Sequence, residues 1–155
     1  MLKWWARKRL CPPYIEKVDF LEKGDNQMTI ETVRLSEKAK NQLMSLKRRT
    51  GIQNWNILCR WAFCLSLSET SIPPKEKLQT DSSIEMTWRI FGGIHADVYL
   101  ALLTQRCKQA GLPLTPKILN EQLKLHLHRG ISYLANDNKT TNISMLLKLT
   151  TNRRK

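Results

Sequence analysis

Acidic side chains are scarce in this chain: 13 against 26 lysines and arginines in 155 residues, for a formal charge of +13 and a pI near 9.9. Such an imbalance points to a polyanion. Nucleic acid comes first, an anionic membrane surface second, and a merely basic domain third. Cysteines are few, and Cys11, Cys59, Cys64 and Cys107 form no Cys-x-x-Cys pair; inside an apolar helix Cys59 and Cys64 behave as small hydrophobes. No apolar run approaches the ~18 residues of a membrane span. The amino terminus MLKWWARKRLCPPY lacks the uninterrupted apolar core of a signal peptide. A reducing bacterial cytoplasm is the expected setting.

Catalytic furniture is equally thin. Gly92-Gly93 is not followed by the Lys-Ser/Thr that a phosphate-cradling loop requires. His126 and His128 stand two residues apart, on different faces of a helix, so they cannot chelate one ion together. No carboxylate is fixed nearby to orient either ring as a base. Both are expected to pack or cap, with Arg129 pairing near a helix end. The expectation is no catalytic residue, no metal, no cofactor, and no enzyme.

The length suits one domain with short appended tails. Residues 1–27 have no sustained periodicity, contain Pro12-Pro13 and end in the turn-like Glu22-Lys23-Gly24-Asp25. Lys23-Gly24-Asp25 can be encoded by a purine-rich, ribosome-binding stretch ahead of Met28. These residues are therefore read as an extension beyond a native start at Met28, in preference to a basic-aromatic arm built on Trp4 and Trp5. Residues 28–135 form the patterned domain, and residues 136–155 a mobile basic tail.

Within the domain, Val33 and Leu35 share one face of a short strand, and Thr32 and Arg34 the other. Ser36 caps a helix from Glu37 to Arg49 that turns Ala39, Leu43 and Leu46 inward. Lys47-Arg48-Arg49 closes it with the correct dipole sign, and Gly51 supplies a left-handed turn. Asn54 caps a second helix, Trp55 to Ser68, whose buried face is expected to be Ile57, Leu58, Trp61, Ala62 and Leu65, with Cys64 beside it. Residues 69–83 read as a linker, and Met86–Phe91 as either extended chain or a helical turn. A third helix runs from His95 to Ala110 on Val98, Tyr99, Leu102 and Leu103. A fourth starts at Thr115-Pro116, buries Leu119, Leu123 and Leu127, and is bent or interrupted at Gly130.

The fold class is thus mainly α, a small helical domain with a short N-terminal strand. Its strand-helix-helix start resembles the ribbon-helix-helix DNA-binding pattern, in which two chains pair strands in the major groove. On that analogy Thr32 and Arg34 face bases, and the amino end of the second helix, near Asn54, touches phosphate. The candidate DNA-binding residues are Arg34, Lys38, Lys40, Lys47, Arg48, Arg49 and Arg60. Lys47, Arg48 and Arg49 lead, because they converge at one helix end beside a Gly turn where backbone can approach phosphate.

A second resemblance is sharper. Arg49-Thr50-Gly51, Asn56-Ile57-Leu58-Cys59-Arg60, Leu65-Ser66-Leu67, Phe91-Gly92-Gly93, Ala101-Leu102-Leu103 and His126 through Ile131 occur in order. From about Glu31 to Ala135 the chain resembles the DndE family of DNA sulfur modification proteins. Trp55 and Trp61 depart from that likeness by placing large rings near the turn and in the second helix. The resemblance implies a small helical DNA-binding subunit of the bacterial phosphorothioation system, which replaces a non-bridging phosphate oxygen of DNA by sulfur. It also implies a homo-oligomer, tetrameric, that prefers nicked duplex. The implied partners are a cysteine desulfurase, an iron–sulfur sulfurtransferase-like protein and an ATPase. The competing expectation is a ribbon-helix-helix repressor that reads an operator by base contacts.

Overall fold

A computed structural model describes residues 30–79, 81–137, 144 and 146–148. The extension 1–27 and most of the tail lie outside these residues. The order is β1 (Thr32–Arg34), α1 (Glu37–Thr50), α2 (Trp55–Leu67), β2 (Glu85–Thr87), α3 (Trp88–Gly92), a 3-10 turn at Gly93–His95, α4 (Ala96–Gln109) and α5 (Pro116–Asn136).

Local signals set most of the helix ends. The Ser36 hydroxyl accepts from the Ala39 N–H at 3.2 Å, satisfying one orphan donor of the first turn. Gly51 sits at φ 74° and donates its N–H back to the Lys47 carbonyl, the left-handed C-cap that a Cβ would strain. Thr115 caps α5 through the Ile118 N–H, with Pro116 at the first helical position. Asn54 precedes α2, but its side chain makes no capping bond. The Asn56 amide oxygen takes the Ile57 N–H instead, at 3.0 Å.

α2 packs along α5, with α1 against α5 on one side and α3 and α4 closing the other. The inward residues of α1 are the expected Ala39, Leu43 and Leu46. On α2 the buried set is Leu58, Cys59, Ala62, Phe63 and Ser66, so the expected face is rotated by about one residue. Ile57, Trp61 and Leu65 are half-buried and Cys64 is exposed. The rotation follows from the aromatic layer on the far side. Phe63 meets Phe91 edge-on at 5.7 Å, and Phe91 stacks on Trp88 at 5.1 Å; each such pair adds ~0.5–1.5 kcal/mol beyond burial.

The structure corrects several expectations and decides the alternative left open at residues 86–91. The ribbon strand β1 does not wait for a second chain: it pairs antiparallel with β2 of its own chain, Val33 opposite Met86 and Arg34 opposite Glu85. Residues 86–91 are both strand and helix, changing at Thr87, whose hydroxyl caps α3. Residues 69–83 are no free linker, because the Arg106 guanidinium donates to the carbonyls of Glu69, Thr70 and Ser71 at 2.8, 2.6 and 2.9 Å. Finally, α5 runs unbroken through Gly130, where the absent side chain admits the Ala62 backbone. Val98 and Leu102, expected inside, are exposed, while α4 buries Leu103, Thr104 and Cys107. Of the described part of the tail, Leu146 is helical and fully buried in the core.

Candidate nucleic-acid interface

Successive helical residues turn by about 100°, so the cations of α1 leave its axis in two directions. Lys40, Lys47 and Arg48 lie on one flank of the buried seam. Together with Met44, Gln53 and Trp55 they line an open depression of about 550 Å³ at the Gly51 corner. Lys40 Nζ stands 3.2 Å from Glu37 Oε1, a part-buried i,i+3 pair near the surface of modest strength. Lys47 Nζ lies 4.3 Å above the Trp55 ring. Arg48 is exposed and has no hydrogen-bond or ion-pair partner among the described residues.

The other four candidates go elsewhere. Lys38 projects from the opposite flank, toward a narrower cavity of about 270 Å³ shared with Glu76, His128 and Tyr133. Arg34 is paired across the ribbon with Glu85 at 2.5 Å. Arg49 does not converge with Lys47 and Arg48. Its Nη2 donates to the carbonyls of Leu134 and Ala135 at 3.3 and 2.9 Å, supplying the donors that the end of α5 lacks. Arg60 donates from Nε to the Phe91 carbonyl at 2.5 Å and from Nη2 to that of Ile90 at 3.4 Å, clamping α3 onto α2.

A second open depression, of about 430 Å³, adjoins the first and shares Gln53 and Trp55 with it. It is lined besides by polar Asn54, Asn56 and Glu85 and by apolar Ile84, Met86 and Ile90. The sequence marks Asn54 as a phosphate contact, but nothing in it signals Met86 and Ile90 here, because β2 and α3 reach Trp55 only through the fold.

His126 and His128 are engaged in hydrogen bonds within the helical packing. His126 is buried, and its Nδ1 lies 2.9 Å from Ser66 Oγ. The same oxygen accepts from Arg129 Nε at 2.8 Å. Burial first, then the charges of Arg129 and Arg106, push the His126 pKa down to about 4, and the ring is neutral at pH 7. His128 Nε2 accepts the Ser36 N–H at 3.2 Å. Its proton therefore sits on Nδ1, which donates to the Lys124 carbonyl at 2.7 Å. Arg129 also donates from Nη2 to the Ser66 carbonyl at 2.7 Å, next to the end of α2. Burial pushes the Cys59 thiol up to about 12. No cluster of three or more His, Cys, Asp or Glu side chains among the described residues is placed to hold a metal. No described helix is long and apolar enough to cross a membrane.

An intrachain ribbon and an open cationic corner define the class: a small basic helical module. The chain belongs to the DndE family, since the model for "DNA sulphur modification protein DndE" matches residues 32–142. It is similar to the crystal structure of DndE from Escherichia coli B7A involved in DNA phosphorothioation modification. That likeness has 25% identity and a TM-score of 0.58, over 68% of this chain and 97% of that one. A mutant DndE involved in DNA phosphorothioation shares the fold, at 24% identity and TM-score 0.55, over 69% and 98% of the two chains. No curated protein matches.

Proposed function

We propose that this protein is the DNA-binding, non-catalytic subunit of a phosphorothioation system, holding duplex, including nicked duplex, by its backbone phosphates while partners perform the sulfur chemistry. The observation that carries this reading is the gathering of Lys40, Lys47 and Arg48 around one open depression, where among the described residues Glu37 alone supplies a paired carboxylate. Fixed charge on a rigid frame captures a phosphate backbone without any nucleophile. Lys38 extends the field on the far flank of α1. Arg49 and Arg60 belong to the frame.

The partners on this reading are the iron–sulfur sulfurtransferase-like and ATPase subunits, in the cytoplasm. A homotetramer is supported by exposed apolar residues on α4 and the turn before it, Ile94, Val98 and Leu102, with Ile94 94% exposed. Exposed apolar surface of this kind marks an interaction face. The repressor reading has no observation in its favour, because the strand it needs for a second chain is already paired with β2.

Gel shifts of intact, nicked and single-stranded DNA of unrelated sequences, run across a salt series, test the proposal. A backbone binder is indifferent to sequence and loses roughly 0.9 log units of affinity per log unit of salt for each phosphate neutralised. Discrimination of ~1–3 kcal/mol per wrong base pair would reinstate the repressor. Turnover by the purified chain without partners would make it an enzyme.

A further inference from the structure

We infer that Trp55 is a stacking platform for an unpaired base, with cations on one side to take the phosphate and the Asn54 amide on the other to meet the base edge. This rests on the DNA-binding reading above and names the part of DNA that the corner recognises.

Trp55 is the boundary between two unlike depressions. On one side stand Lys40, Lys47 and Arg48; on the other stand Asn54, Met86 and Ile90. Crossing the indole, the lining changes from lysine and arginine side chains to amides and apolar side chains, with Glu85 among them neutralised by its pair with Arg34. A nucleotide changes in the same order, from phosphate to aromatic ring to hydrogen-bonding edge. Single-strand binders combine these same elements, a basic groove and an aromatic ring.

Two details argue against a ring that merely fills space. The indole is half-buried, packed against the core, and Lys47 Nζ lies over it with no carboxylate partner among the described residues. An exposed cation–π contact is weaker than base–indole stacking, so a base displaces the ammonium, which then turns to the adjoining phosphate. Asn54 is also uncommitted to the helix it precedes. It makes no capping bond to α2, whereas the Asn56 amide is used at both ends, donating to the Ile90 carbonyl and accepting the Ile57 N–H. Asn offers one acceptor and two donors, the complement of a base edge. A base inside an intact duplex has both faces covered by its neighbours, so the ligand is an unpaired nucleotide.

The test compares, with the full chain at fixed salt, a duplex carrying one unpaired thymine and the same duplex with an abasic site in its place. Anisotropy titrations should show thymine bound about tenfold more tightly. Trp55→Ala should abolish that preference, Trp55→Phe should keep part of it, and Asn54→Ala should narrow it. Equal affinity of the wild-type protein for the two duplexes overturns the inference while leaving the backbone reading intact; it needs no variant, so misfolding cannot obscure it. Failure to bind any of these DNAs, intact duplex included, overturns both.

Discussion

Gly130 of α5 lies directly against the backbone of Ala62 in α2, so that a Cβ built on the glycine would collide with the Ala62 carbonyl. This contact sets the spacing of the two central helices. Backbone cannot swing aside as a side chain tip does, so Gly130→Ala should destabilise by about 3 kcal/mol or more, at the upper end of overpacking. Gly51 has no atom within 4 Å of such a Cβ but sits at φ 74°, so Gly51→Ala should cost only ~1 kcal/mol. Thermal melts of both variants check the ranking; equal losses would mean the α2–α5 approach has slack.

The cations should divide into two groups. Lys47→Ala and Arg48→Ala should each lower the salt slope of DNA binding by about 0.9 for every phosphate left without its cation, with little change in melting. Arg49→Ala and Arg60→Ala should act first on stability, by about 1–3 kcal/mol, because each leaves carbonyls without a charged donor. Urea titrations beside binding isotherms separate the groups. A salt slope that moved with Arg49 and not with Arg48 would reverse the assignment.

Stability should fall on mild acidification. His126 has a native pKa of about 4 against an ordinary 6.5, so between these values the unfolded chain binds more protons. The stabilisation is complete above pH 6.5 and disappears as pH drops toward 4, by an amount on the order of 3 kcal/mol. His128, also lowered chiefly by burial, contributes in the same direction. Urea midpoints from pH 7.5 to 4 should show the decline, and His126→Gln should flatten it. A midpoint that rose in this window would contradict a neutral, buried ring.

Thiol labelling should follow exposure. Cys64 is exposed, while Cys59 and Cys107 are buried, and burial raises all three thiols, Cys59 to about 12. None is a ready thiolate at neutral pH. Among these three, peptide mapping after maleimide treatment should find Cys64 modified first, and the other two only on unfolding. Early modification of Cys59 would show that α2 opens readily.

Much of the chain was legible where physics is local. Ser36, Gly51 and Thr115-Pro116 announced helix ends because caps act on backbone groups within a turn. The inward residues of α1 and the leucines of α5 were visible as a helical period. The period failed on α2 and α4, which carry apolar residues nearly all round, so rotation was set by what packs there. Gly130 in sequence resembles a helix breaker; only the proximity of Ala62 explains it.

Family and excess positive charge were written in the order of residues alone, since motifs and net charge survive any arrangement of the helices. Which cations face water was decided by the tertiary structure. A guanidinium goes to whatever carbonyls the fold brings within reach. For Arg49 those belong to Leu134 and Ala135, 85 and 86 residues further along, a distance over which neighbouring sequence carries no information.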